Sequence, residues 1–68
     1  MNTVAEISAV YKNTKVRMEK KGFKFLSDLE PRSFLIERIE FWIDKFGNQY
    51  VLELQKNGAV FTYKETKI

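Results

Sequence analysis

The sequence predicts an α+β domain in which one N-terminal amphipathic helix packs on a three- to four-stranded antiparallel meander. Three observations carry that expectation. An apolar stripe recurs at helical spacing between Val4 and Met18. Residues 38–65, RIEFWIDKFGNQYVLELQKNGAVFTYKE, alternate between apolar and polar side chains with a period of two. Two turn signals, Gly47-Asn48 and Asn57-Gly58, divide that run into three strands.

The helix opens on Thr3-Val4-Ala5-Glu6, a capping box in which Thr3 accepts from the Glu6 amide and Glu6 reaches back to the Thr3 amide. Val4, Ile7, Tyr11, Thr14 and Met18 then recur at alternating steps of three and four, with Val10 at the edge of the stripe. Lys20 and Lys21 suit the negative end of the helix dipole, and Gly22 suits the position just past the cap. A helix over about residues 4–21 follows, its stripe covering the sheet.

Phe23-Lys24-Phe25-Leu26 alternates briefly and can form a fourth, short strand at 23–26. Residues 27–33 read as a loop, because Pro31 pushes Glu30 toward extended geometry and cannot serve a central ladder. Strands follow at about 35–45, 49–56 and 59–65. A rival helix from Ser33 to Phe46 accounts for Leu35, Ile36, Ile39, Ile43 and Phe46. The strand is preferred because its faces match those of the two strands after it. The tail Thr66-Lys67-Ile68 is expected to fray.

Turn geometry sets which side chains share a face. A two-residue type I′ turn at Asn57-Gly58 pairs Leu54 with Phe61 and Leu52 with Tyr63. A two-residue loop at Gly47-Asn48 sets Ile43 opposite Leu52 and Phe41 opposite Leu54. A four-residue loop would keep those faces but place Glu40 opposite Glu53, an unfavourable pairing of like charges. The expected inner face is therefore Ile39, Phe41 and Ile43 with Tyr50, Leu52 and Leu54 and with Ala59, Phe61 and Tyr63. The expected outer face carries Arg38, Glu40, Trp42, Val51, Glu53, Val60, Thr62 and Lys64.

Sixty-eight residues make a single domain near the size at which one core only just suffices. A hydrophobic content of 44% and an aromatic content of 15% are enough for that core, which argues against disorder. There is no cysteine for disulfides or thiolate metal sites, and no histidine for the usual neutral-pH base or zinc ligand. Ser8, Ser27 and Ser33 have no histidine to pair with, and three separated glycines do not make a phosphate-cradling loop. No enzyme, cofactor or metal is expected. The apolar runs are too short to span a membrane, and Glu6 interrupts any signal-peptide core, so a cytoplasmic protein is expected.

The segment Lys21-Gly22-Phe23-Lys24-Phe25-Leu26 is similar to the core of the RNA-recognition-motif signature. Lys24 replaces that motif's small residue, Asp28 stands where a stacking aromatic belongs, and the strand–helix–strand unit of the family does not precede it. Gly22 is read instead as a helix stop, and the two phenylalanines as core.

Two surfaces remain as candidates for function. The first is the expected outer face, where Trp42 is surrounded by Arg38, Val51, Glu53, Val60 and Lys64. Trp is enriched in binding hot spots, and mixed charges suit a protein partner or a second copy. The alternative for Trp42 is burial beneath the Phe23-to-Ile36 segment. The second surface is the basic run Lys12, Lys15, Arg17, Lys20, Lys21 and Lys24, opposed within residues 12–24 by Glu19 alone. It is either a solvated helix face or a landing patch for phosphate. The leading expectation is a non-enzymatic protein-interaction module, an inhibitor or adaptor or a homodimer. By analogy of size, it suits a phage or mobile-element inhibitor of a host defence enzyme. The second expectation is a small basic nucleic-acid-binding protein.

Overall fold

A computed structural model describes residues 3–65 of the chain; Thr66-Lys67-Ile68 lie outside the described residues. The elements run α1 (Val4–Ile7), α2 (Ala9–Lys20), β1 (Lys24–Leu29), β2 (Ile36–Ile43), β3 (Gln49–Gln55) and β4 (Val60–Lys64). The strands form one antiparallel sheet in the order β1-β2-β3-β4, and the helices cover one side of it. The α+β meander expected from the sequence is the fold observed.

The expected single helix is two. Thr3 caps α1 by accepting from the Glu6 amide at 3.3 Å. Ser8 then leaves the helix with extended backbone, at φ −75° and ψ 107°, and starts α2. Its hydroxyl accepts from the Tyr11 amide at 3.2 Å and donates to the Gly58 carbonyl at 2.7 Å. A helix-compatible position thus becomes a cap because the β3–β4 turn offers it a partner. The break rotates the stripe, so Ile7 and Val10 face solvent while Tyr11 and Met18 are buried. At the other end, α2 closes on Gly22 at φ +94°, with the Phe23 amide reaching the Met18 carbonyl at 3.0 Å.

Strand β1 extends through residues read as loop. Lys24–Leu29 pairs with Ile43–Ile39, and a bulge at Leu26 resets the register between Phe25 and Ser27. Pro31 falls in the connection after it, where no ladder amide is needed. Residues 36–43 are strand, so the rival Ser33-to-Phe46 helix does not form.

Both hairpins have three-residue loops rather than the expected two. Asp44 pairs with Asn48 around Lys45-Phe46-Gly47, and Gln55 pairs with Ala59 around Lys56-Asn57-Gly58. Each loop is a tight turn followed by a glycine at positive φ, +87° at Gly47 and +90° at Gly58. A type I′ turn would need positive φ at Asn57 as well, and no non-glycine residue among those described adopts it. Side chains lock the alternative: Asp44 Oδ1 accepts from the Phe46 and Asn48 amides, both at 2.9 Å. Asn57 Oδ1 accepts from the Ala59 amide at 3.0 Å.

The extra loop residue changes parity. Leu52 now stands between Glu40 and Thr62, and Leu54 between Arg38 and Val60. Relative to β3, strands β2 and β4 present the opposite face from the one expected. The helix-facing side holds Arg38, Glu40, Trp42, Tyr50, Leu52, Leu54, Val60 and Thr62. Tyr11, Met18, Trp42, Leu52 and Leu54 form the buried core.

Candidate functional site

The helix-facing side is organised by a buried carboxylate. Glu40 is fully buried in the middle of β2, flanked two residues away on its own strand by Arg38 and Trp42. Its oxygens accept from Trp42 Nε1 at 2.9 Å, from Arg38 Nε at 2.5 Å, and from the Tyr11 hydroxyl. Lys15 Nζ stands 4.0 Å away and hydrogen-bonds the Tyr11 oxygen at 3.3 Å. Arg38 also reaches Asp28 on β1 at 3.2 Å. Among the described residues every buried side-chain polar atom has a partner. Burial pushes the Glu40 carboxyl up, but the hydrogen bonds from Tyr11, Trp42 and Arg38 outweigh it and hold the group below the ordinary carboxylate range. Burial, then the Glu40 hydrogen bond and charge, raise the Tyr11 phenol. A carboxylate so fully satisfied and closed to solvent fastens helix to sheet; it is not presented to a substrate.

This placement corrects the expected protein-docking set. Trp42 is 1% exposed, lying under the helices and meeting Phe25 edge-on at 5.7 Å between ring centroids. Arg38 is spent on Glu40 and Asp28. Val60 packs against the core, and Lys64 stands in the row of Trp42 and Tyr50 on the helix-facing side. Val51 and Glu53 alone of the six lie on the outer face. The reason is the parity change at the two loops, which turned β2 and β4 over.

The outer face is instead built from residues expected in the core. Its pairings run across the sheet as Leu29–Ile39–Glu53–Phe61, Ser27–Phe41–Val51–Tyr63 and Lys24–Ile43–Gln49–Glu65. Leu29, Phe61 and Tyr63 are exposed, at 55%, 56% and 49%, while Ile39, Phe41 and Ile43 are half-buried and Val51 is buried mid-row. Glu53 is the one charge in the first two of these rows, and its carboxylate accepts from the Tyr63 hydroxyl at 3.1 Å. A contiguous apolar face with polar corners is uncommon on a monomer's surface. The signal for it was present in Asp44 and in the glycine standing third in each loop, which mark three-residue loops.

The basic segment divides in two. Lys12 and Lys15 lie on one side of α2 beside Glu6 and Glu19. Arg17 and Lys21 lie on another side, lining a hollow of about 220 Å³ with Phe23 and Tyr50, whose rings meet edge-on at 5.0 Å. Lys20 is exposed near the helix end, and Lys24 sits at a corner of the outer sheet face. The six cations do not form one patch.

Among the described residues no group of three or more His, Cys, Asp and Glu side chains is placed to hold a metal ion, and no helix is long and apolar enough to cross a membrane. Comparisons with protein-family models, curated proteins and solved structures return no match to this chain.

Proposed function

We propose that this chain is a non-enzymatic protein-interaction module, of the inhibitor or adaptor kind, that docks through the outer face of its sheet. The observation that supports it is the apolar face of Leu29, Ile39, Phe41, Phe61 and Tyr63 on the side opposite both helices. Such a face is the counterpart of another apolar protein surface, because the rows of Leu29 and Phe41 carry one carboxylate and no cation to meet a phosphate backbone. Phe61→Lys tests it with little strain on the monomer, since the new ammonium stands opposite Glu53. Immobilised wild-type chain should retain a polypeptide that the Phe61→Lys chain loses. Retention indifferent to Phe61→Lys sinks the reading.

A second reading, nucleic-acid binding through residues 12–24, draws support from Arg17 and Lys21 beside the Phe23 and Tyr50 rings. It requires affinity that falls steeply with salt and is lost in Arg17→Gln/Lys21→Gln. Absence of binding to single- and double-stranded nucleic acid at near-physiological salt would remove it.

A further inference from the structure

The outer face carries a charge arrangement that selects its own occupant. Lys24 and Glu65 close the two ends of one row, Lys24–Ile43–Gln49–Glu65, with Lys24 on the β1 edge and Glu65 beyond the β4 edge. Three strand spacings, about 14 Å, separate them, so they cannot pair within one chain. We propose that a second copy of this chain covers the face, two sheets packing face to face about a two-fold axis that runs along the strands. The proposal rests on the outer face being the docking surface.

That axis is chosen by the rows. Rotation about the strand direction lays β1 of one copy over β4 of the other and keeps each row over its own equivalent. Lys24 then meets Glu65 of the second copy, and the symmetry repeats the contact at the opposite corner. Phe41 comes over Val51, Leu29 over Phe61, and Ser27 over the Tyr63 ring. The other in-plane axis, perpendicular to the strands, would lay β1 over β1 and set the Lys24 row over the Leu29 row, with both corner charges facing apolar side chains. Aligned packing of twisted sheets keeps strand directions within about 30° of each other, a deviation that long corner side chains can span. Glu53 comes over Ile39 and keeps the Tyr63 hydroxyl as a partner when water leaves.

Such a pair covers the exposed Leu29, Phe61 and Tyr63 of both copies at once. A face-to-face pair turns an α+β layer into a four-layer helix–sheet–sheet–helix particle.

Analytical ultracentrifugation of the full chain across a wide concentration range is the test. A reversible monomer–dimer equilibrium is expected. Lys24→Glu and Glu65→Lys should each weaken the dimer by roughly tenfold, because each reverses two symmetry-related rim pairs. The double variant Lys24→Glu/Glu65→Lys should restore most of the lost affinity, and Phe61→Lys should leave monomer only. All three positions, Lys24, Phe61 and Glu65, are exposed, and circular dichroism checks that each variant remains folded. A chain that stays monomeric at every concentration overturns the second copy. If Phe61→Lys still costs it a retained heterologous polypeptide, the docking surface stands. A dimer indifferent to Lys24→Glu overturns the axis. A dimer that survives Phe61→Lys overturns the face itself.

Discussion

The Tyr11 hydroxyl on α2 donates to the Glu40 carboxylate on β2, 29 positions away in sequence, and both residues are buried. This contact joins the helical layer to the sheet at the centre of the core, where a charged acceptor without its donors would be costly. Tyr11→Phe keeps the ring and removes the donor. A loss of about 1.5–3 kcal/mol in urea unfolding is expected, the usual range for a hydrogen bond to a charged group. A loss near zero would show that Arg38, Trp42 and Lys15 hold Glu40 without Tyr11.

Stability should fall at both ends of the pH scale. The Glu40 carboxyl has a folded pKa below its unfolded value, so its contribution is present above the ordinary carboxylate range, about 4.3, and is lost as pH falls through the lower folded value. Tyr11 runs the other way. Its folded pKa is raised, so its contribution is full below about 10 and is lost as pH climbs beyond that. Thermal melts from acid to alkaline pH should show both limbs, and Tyr11→Phe should flatten the alkaline one. An unchanged alkaline limb in Tyr11→Phe would assign it to other groups.

Trp42→Ala should unfold the domain rather than disturb a surface. Truncating a buried Trp typically costs about 3–5 kcal/mol, a large share of what a domain of this size has. Trp42 is the single tryptophan, so its emission reports the site directly. Blue-shifted emission, poorly quenched by acrylamide, is expected in the wild type. Red, readily quenched emission would place the indole in water and return β2 to the opposite register.

Gly47→Ala isolates the turn. Nothing lies within 4 Å of a Cβ built at Gly47, so the cost comes from the +87° backbone alone. About 1–2 kcal/mol is expected from that conformation in an L-residue. A neutral result in urea unfolding would argue against a left-handed residue closing the β2–β3 loop.

The α+β class, the Thr3 cap of the first helix, the helix stop at Gly22 and the three meander strands were all determined by local sequence. Each rests on interactions within a few residues: a side chain on a nearby amide, a glycine where φ must be positive, a period of two set against a period of 3.6. Strand β1 was half visible, since Phe23–Leu26 alternates but Ser27–Leu29 becomes strand only by pairing with Phe41–Ile39. What the tertiary structure alone decided is which way β2 and β4 face. Alternation gives two faces on each strand without saying which meets the helix, and one residue more or less in a hairpin loop exchanges them. Ile39, Phe41, Phe61 and Tyr63 are the more hydrophobic set, yet the helix-facing side took Glu40 and Trp42. The carboxylate there finds Tyr11 from the helix and Arg38 and Trp42 from its own strand, partners that exist together only once the layers have met. The core of this protein is therefore settled by long-range hydrogen bonding as well as by apolar burial, and its greasiest strand faces are left outside.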